Sequence, residues 1–281
     1  MAHSISPQMH AAAYRALGLD QWMYGRELVA ESGFAAFLSG LGPQWRGLSL
    51  TMPLKEVVFD VGVPMSDLAA QVGSANTLVR RTDGGWVGDN TDVHGVLAAL
   101  GAEPEAVSAG TGAGTGAGTA LVLGSGATAR SVLAALRELG IGSVDLAVRD
   151  RARPRTLALA RELGLSVRTG PLSDAASRVL DAPVVVSTLP PEGAAGVAAA
   201  LSALCARGHP AGRPGVLLDV VYAGWPTPLA GAFAAAGGRV VSGFEMVLHQ
   251  AGEQVRLMTG LEPPLEAMRE AGRAAMAPVS S

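Results

Sequence analysis

Residues 120–129, with the sequence ALVLGSGATA, join an apolar run to a glycine-rich turn and then to a segment suited to a helix. The glycines at Gly124 and Gly126 allow a tight turn in which the backbone approaches a phosphate group closely. Ala127 and Thr128 would open the helix and present backbone N–H donors to that phosphate. The stretch therefore predicts a dinucleotide-binding turn. A glycine-rich turn without a ligand is the alternative in a chain with 37 glycines.

The chain on the carboxyl side of this turn alternates between strand and helix patterns. On the amino side, residues 109–119 read AGTGAGTGAGT, a low-complexity stretch that indicates a linker or surface insertion. The alternation predicts a doubly wound parallel sheet. We expect strands over residues 120–123, 143–148, 184–187 and 216–221, and helices over residues 128–139, 154–163 and 194–204.

Arginines follow the second predicted strand of this region. Arg149, Arg151, Arg153 and Arg155 begin about 20 residues beyond the turn, where a dinucleotide site contacts the adenosine ribose. Guanidinium groups suit a 2′-phosphate, so the cluster favours NADP over NAD. Asp150 opposes this interpretation, because a carboxylate accepts from a free 2′-hydroxyl. A solvated basic helix start is the remaining alternative.

The composition narrows the class of protein. The 281 residues carry a net charge of −3, which argues against nucleic acid or an anionic membrane as partner. No apolar run approaches the length of about 20 residues that a transmembrane helix needs, and no signal peptide is visible. The single cysteine, Cys205, cannot form an intramolecular disulfide, so we expect a cytoplasmic protein.

Lysine is almost absent from the chain. Of the 21 basic residues only Lys55 is a lysine, and it ends the segment SLTMPLK at residues 49–55. A predicted strand delivers Thr51, and Pro53 stops it before a helix that Lys55 opens. A compact, titratable ammonium suits proton transfer, and arginine does not replace it there. A solvated surface lysine is the alternative.

The first hundred residues mix helix and strand patterns. We predict a helix over residues 7–17 with Ser6 as N-cap, strands over 47–52 and 77–81, and a helix over 91–100, all in a mainly parallel sheet. Further helices from residue 244 and after Pro264 are expected to return to this part of the chain. The domains predicted are therefore residues 1–98 plus 244–281, and residues 99–243.

Both asparagines of the chain lie in one predicted hairpin. Asn76 belongs to GSANT at residues 73–77, and Asn90 belongs to GDNTD at residues 88–92. Thr91 is expected to cap the helix, which leaves the Asp92 carboxylate pointing into a cleft. A first-turn carboxylate that only complements the helix dipole is the alternative for Asp92.

Seven motifs occur in order along almost the whole chain, and together they resemble the shikimate dehydrogenase family. The motifs are S-x-S-P at residues 4–7, T-x-P-x-K at 51–55, N-T at 76–77, G-D-N-T-D at 88–92, G-x-G-x-x-A at 124–129, D-x-x-Y at 219–222 followed by T-P-L, and G-x-x-M from residue 243, with Gln250 beyond it.

The resemblance implies an α/β fold with a shikimate-binding lobe and a Rossmann-like NADP-binding lobe. It implies reversible reduction of 3-dehydroshikimate to shikimate with NADP(H), without a metal, and with Lys55 and Asp92 as the catalytic pair. The implied substrate site comprises Ser4, Ser6, Thr51, Asn76, Asp92, Tyr222 and Gln250. The implied cofactor site comprises Gly124, Ser125, Gly126, Ala127, Thr128, Arg149, Arg153, Val220 and Gly243.

The chain departs from the family's pattern at three places. Ser49 stands where the family more often has Asn, and Val148 and Asp150 flank Arg149 where Asn and Thr are common. The family also opens with a strand before S-x-S, whereas Ser4 follows Met1 by three residues, so we expect further chain upstream of Met1.

Three alternatives stay open: a quinate or shikimate/quinate dehydrogenase that uses NAD, a catalytically silent NADP-binding homologue, and another Rossmann reductase. The oligomeric state is also open, with a homodimer among the options.

Overall fold

The structure is a computed structural model that describes residues 4–110, 118–207 and 215–277. The chain divides into two compact units. The first unit ends at Gly95 and resumes at Val247, and the second unit runs from Val96 to Met246. Most of the low-complexity stretch at residues 109–119 lies outside the described residues, as does the beginning of the chain before Ser4.

The helices and strands are numbered in chain order. The helices are α1 (Ser6–Ala16), α2 (Phe34–Gly40), α3 (Leu54–Val57), α4 (Asp67–Val72), α5 (Thr91–Gly101), α6 (Pro104–Gly110), α7 (Ala127–Glu138), α8 (Pro154–Glu162), α9 (Ala175–Asp181), α10 (Pro191–Ala206), α11 (Pro228–Ala235), α12 (Gly243–Thr259) and α13 (Leu265–Met276). The strands are β1 (Gly47–Ser49), β2 (Thr77–Arg80), β3 (Trp86–Asp89), β4 (Thr119–Leu123), β5 (Ser143–Val148), β6 (Ser166–Pro171), β7 (Val184–Ser187), β8 (Val216–Asp219) and β9 (Arg239–Ser242).

The sheet of the first unit has the order β1-β2-β3, and both of its pairings are antiparallel. The prediction of a mainly parallel sheet is therefore wrong for this unit. The reason is the short connection at Asp83, Gly84 and Gly85, where Gly84 adopts a φ of +85° and turns β2 directly into β3. A parallel pair would need a crossover connection instead.

Two predicted helix caps in the first unit are also wrong. Ser6 is the first residue of α1, and no side chain caps that helix. Thr91 is the first residue of α5, and the cap is Asn90, whose Oδ1 accepts from the backbone N of Val93 at 3.3 Å. α1 begins one residue earlier than predicted, whereas α5 begins at Thr91 as predicted and only its cap lies one residue earlier.

An apolar cluster of the first unit includes side chains from β2 and β3. Its buried members are Phe34, Leu38, Leu50, Val58, Ala69, Ala75, Leu78 and Trp86. Burial of apolar surface contributes about 25 cal/mol per Å², so this cluster is a main source of the unit's stability.

The sheet of the second unit is parallel throughout and has the order β6-β5-β4-β7-β8-β9. Counted from β4, this is the doubly wound order 3-2-1-4-5-6, which confirms the fold predicted for this part of the chain. In such sheets, ligands bind at the carboxyl ends of the strands where the order reverses, here between β4 and β7. The glycine-rich turn follows β4 and lies at this place.

Within the described ranges, none of the helices combines the length and the apolar character needed to cross a membrane.

Candidate active site

Lys55 is the second residue of α3, and its ammonium contacts a carboxylate of the first unit. Its Nζ lies 2.5 Å from Oδ2 of Asp92. The two side chains are only 13% and 6% exposed, so water screens the pair less than it screens a surface ion pair. The alternative of a solvated surface lysine does not describe this residue.

Asp92 is held from several sides. It lies in the first turn of α5, which Asn90 caps, and the Asn90 amide also donates to the carbonyl of Ser74 at 2.7 Å. Its second oxygen, Oδ1, accepts from Nδ2 of Asn76 at 2.8 Å. The carboxylate therefore has a different partner on each oxygen, which fixes its orientation relative to Lys55.

Asn76 connects this pair to the neighbouring helices. Its Oδ1 accepts from the backbone N of Thr91 at 2.8 Å, and its Nδ2 lies 3.2 Å from Oε1 of Gln250. The Gln250 amide is held in turn by the carbonyl of Val247, to which it donates at 3.1 Å. The structure thus brings Lys55, Asp92, Asn76 and Gln250 together.

Ser4 and Ser6 lie at the start of α1, beside a tyrosine that the sequence did not single out. The Ser6 amide points to Oγ of Ser4 at 3.4 Å, and Arg26 donates to the carbonyl of Ser4. Burial raises the pKa of Tyr24, and side-chain hydrogen bonds to Ser49 and Ser6 oppose that rise. Tyr24 therefore joins Ser6 of α1 to Ser49, the last residue of β1.

His10 holds the Tyr24 ring in place. The two rings stack with centroids 4.0 Å apart, and His10 Nδ1 lies 2.9 Å from the carbonyl of Ser6. Burial lowers the pKa of His10 to about 4, so the imidazole is neutral near pH 7. The stacking on Tyr24 gives His10 a structural role.

Two predicted substrate residues stand apart from these contacts. Thr51 follows β1 and is exposed, with no contact to the Lys55–Asp92 pair among the described hydrogen bonds. Tyr222 belongs to the second unit, where it follows β8 and is half-buried.

The glycine-rich turn of the second unit has the shape that a pyrophosphate requires. Gly124 adopts a φ of +109°, and a Cβ there would lie 2.4 Å from Oγ1 of Thr188, which follows β7. A Cβ on Gly126 would meet nothing within 4 Å, and no side chain caps α7. The first amides of α7, from Ala127 and Thr128, are therefore left for a ligand.

Hydrogen bonds tie this turn to the arginine-rich segment. Thr156 Oγ1 donates to the carbonyl of Ser125 at 2.7 Å, and the backbone N of Arg153 donates to Ser125 Oγ at 3.2 Å. Arg149 and Arg153 are exposed at the carboxyl end of β5, the strand next to β4. Donors for a pyrophosphate and for a further phosphate thus follow the adjacent strands β4 and β5, and these residues fit a dinucleotide that carries a 2′-phosphate.

Val220 and Gly243 also lie together. A Cβ on Gly243 would be 2.2 Å from the carbonyl oxygen of Val220, so only glycine allows this approach of α12 to the end of β8. Asp219 precedes Val220, and burial raises the pKa of its carboxyl while Thr227 and the amide of Val221 partly offset that shift by hydrogen bonding. Asp219 thereby fixes the loop that carries Val220 and Tyr222.

Sequence reasoning missed Tyr24 and Gln254. Tyr24 lies in an irregular segment without periodicity, so no pattern pointed to it. Gln254 lies one helical turn after Gln250 on α12, and both amides are buried. Two amides four residues apart on the buried face of a helix were a signal that the sequence offered.

Comparison with known proteins assigns both ends of the chain. Residues 1–78 match the family model described as shikimate dehydrogenase substrate binding domain, and residues 243–271 match the one described as shikimate 5′-dehydrogenase C-terminal domain. A curated NADP(+)-dependent shikimate dehydrogenase of Synechococcus is 33% identical over 99% of this chain and 94% of that protein.

Solved structures extend this similarity to the fold. The shikimate dehydrogenase of Mycobacterium tuberculosis is 43% identical, with a TM-score of 0.81 over 98% of this chain and 96% of that one. The shikimate 5-dehydrogenase of Thermus thermophilus, solved in complex with NADP(H) and shikimate, is 31% identical, with a TM-score of 0.73 over 98% and 95% of the two chains. From its motifs, its fold and these relatives, the chain belongs to the shikimate dehydrogenase family.

Proposed function

We propose that this chain catalyses the reversible, NADP-dependent reduction of 3-dehydroshikimate to shikimate. The observation that carries the proposal is the Lys55–Asp92 pair, 2.5 Å apart and mostly buried among amide and hydroxyl groups of the first unit. The relatives named above, which carry this activity in their names, support it.

The polar groups around the pair suit a polyhydroxylated ring. Hydroxyl and amide side chains both donate and accept, so they can pair with ring hydroxyls in either sense. We propose Asn76, Gln250 and Thr51 as partners of ring hydroxyls, and Ser4, Ser6 and Tyr222 as partners of the ring carboxylate.

Lys55 acts on the oxygen at the reacting carbon. In the reduction, its ammonium donates a hydrogen bond to that oxygen as negative charge develops there, and then supplies the proton. Asp92 keeps the ammonium in position, and Asn76 keeps Asp92 in position. Asp92 also accepts from the substrate hydroxyl when the reaction runs in the direction of oxidation.

The cofactor-binding residues follow from the shape of the turn. Gly124, Ser125 and Gly126 with the amides of Ala127 and Thr128 would hold the pyrophosphate, and Arg149 and Arg153 the 2′-phosphate. Val220 and Gly243 would line the nicotinamide side. NADP(H), when bound, supplies or accepts the hydride.

A second candidate is a quinate or shikimate/quinate dehydrogenase that uses NAD. One observation favours it: Asp150 directly follows Arg149, and both side chains are exposed at the carboxyl end of β5. A carboxylate at this place accepts from a free 2′-hydroxyl, whereas it repels a phosphate.

We place the enzyme in the cytoplasm, since its sequence holds a single cysteine.

The substitution Lys55→Arg tests the proposed chemistry. It keeps the positive charge but replaces a compact ammonium by a broad guanidinium that does not release its proton. We expect kcat for shikimate oxidation to fall about a hundredfold or more, in the range that a general acid–base group contributes. The dissociation constant for NADP+, measured by fluorescence, should stay within twofold. Turnover like that of the unchanged enzyme would contradict the assignment of Lys55.

A further inference from the structure

A continuous series of side-chain hydrogen bonds runs through the first unit and ends at Asp92. Ser49 Oγ donates to Oε1 of Gln254 at 2.8 Å, and Nε2 of Gln254 donates to Oγ1 of Thr77 at 2.9 Å. Thr77 Oγ1 then donates to Oδ1 of Asn76 at 2.8 Å. Asn76 completes the series by donating to Asp92.

The direction of these bonds is fixed from the Asp92 end. An ionised carboxylate only accepts and a backbone N–H only donates. Asn76 therefore turns its NH2 group to Asp92 and its oxygen to the backbone N of Thr91. Since that oxygen only accepts, Thr77 must donate its hydroxyl proton to it.

The same reasoning continues to the other end. Thr77 has used its proton, so Gln254 must present its NH2 group there and its oxygen to Ser49. Ser49 in turn must donate its own proton to Gln254. The Ser49 hydroxyl is left with lone pairs only on its other side, where Tyr24 makes its hydrogen bond.

We infer that Gln254 is a positioning residue of the substrate site. It takes up the Ser49 proton, so that Ser49 can only accept a further hydrogen bond, and through Thr77 it holds Asn76 in the orientation that donates to Asp92. Gln254 is 1% exposed and Thr77 is fully buried, so water does not compete for the bonds from Gln254 to Thr77 and from Thr77 to Asn76, whereas Ser49 at the end of the series is exposed. Aligned bonds of this kind polarise one another, which strengthens the series. This inference rests on the proposed function.

The arrangement has a consequence for substrate recognition. An acceptor-only Ser49 favours a hydroxyl donor and disfavours a carboxylate oxygen, because two acceptors repel. Gln254 therefore helps to fix which way round an acid with several hydroxyls lies in the site. Removal of Gln254 frees the Ser49 proton and leaves Thr77 without its donor.

Kinetics of Gln254→Leu and Ser49→Ala test this inference. Each substitution should raise KM for shikimate about threefold to tenfold, the effect of losing one well-placed hydrogen bond, and should change kcat less. The double variant should lie within twofold of the larger single effect, because both substitutions break the same series. If the increase in KM of the double variant equals the product of the two single increases, the inference is wrong.

Met258→Ala provides the matched control. Met258 is a buried apolar residue of the same helix and packs against Gly47 of β1, so its loss lowers stability without touching the polar series. Its KM for shikimate should stay within twofold of the original. If Gln254→Leu lowers Tm as Met258→Ala does and also leaves KM unchanged, Gln254 is only a structural residue and the inference is wrong.

Gln254→Glu gives a readout that a purely structural role would not produce. A protonated carboxyl can accept from Ser49 and donate to Thr77 as the amide does, whereas the ionised form can only accept. The ratio of its KM to that of the unchanged enzyme should therefore rise with pH. The ionisable groups at the two ends of the series, Tyr24 and the Lys55–Asp92 pair, are the same in both proteins, so their effect on KM cancels in this ratio.

A ratio that does not vary with pH would overturn the inference. Turnover of shikimate by the unchanged enzyme is measured first in the same experiment. Its absence would contradict the proposed function, whereas its presence with unaltered KM in the variants would contradict only the role of Gln254.

Discussion

Lys55 illustrates how the setting of one residue turns its chemistry toward catalysis. Its ammonium is close enough to Asp92 for a direct charge-assisted hydrogen bond, and Asp92 is oriented by Asn76 on the other oxygen. A guanidinium at this position would be planar and larger, and it would keep its proton. The importance of this residue was predictable, because the chain uses arginine at all of its other 20 basic positions.

The pH dependence of stability is expected to reflect His10. Burial lowers its pKa in the folded protein to about 4 from the ordinary value of 6.5, so the unfolded chain binds the proton more readily. The stability that neutral His10 contributes is complete above pH 6.5 and is lost as the pH falls from there to about 4. The total loss is about 3 kcal/mol.

Unfolding in urea at several pH values tests this expectation. His10→Phe keeps an aromatic ring against Tyr24 but removes the titrating group. The variant should lose less stability than the unchanged protein between pH 6.5 and 4. Equal losses in the two proteins would show that His10 does not titrate as proposed.

At the scale of the elements, the bounds of strands and helices were predicted more reliably than the direction in which strands pair. The bounds of β5 and β7 agree with the prediction, and those of α7 and α8 differ by one residue at most. The direction of the first sheet was predicted wrongly, because the alternation of helices and strands was given more weight than the hairpin predicted between Asn76 and Asn90, which sets two strands antiparallel. The helix caps were displaced by one residue, since several neighbouring residues are suited to cap.

Two glycine substitutions separate the structural and binding roles of the turn after β4. Gly124→Ala places a Cβ on a residue with φ of +109° and against Thr188, so stability should fall by about 1–3 kcal/mol. Gly126→Ala meets nothing in the protein, so Tm should change little. Both variants should bind NADP+ more weakly, since a methyl group occupies the place where the pyrophosphate approaches the backbone.

Thermal unfolding and NADP+ titration of the two variants provide the measurement. Full affinity for NADP+ in Gly126→Ala would contradict the placement of the cofactor at this turn. An unchanged Tm in Gly124→Ala would contradict its packing against Thr188.

For the whole molecule, the sequence predicted the doubly wound sheet and the shikimate dehydrogenase family. Contacts between residues far apart in sequence could not be predicted. One example is the hydrogen-bond series from Ser49 to Asp92, which joins β1, β2, α5 and α12. Such contacts follow from the tertiary fold and leave little periodic trace in the chain. Lys55, Asp92, Asn76 and Gln250 were found because motifs carry them, whereas Tyr24 belongs to no motif.

The most direct test of the central claim is a comparison of kcat/KM for four pairs: shikimate or quinate, each with NADP+ or NAD+. We predict the highest value for shikimate with NADP+, at least tenfold above the others, which corresponds to about 1.4 kcal/mol of transition-state discrimination. A preference for quinate with NAD+, or no turnover with any pair, would contradict the account.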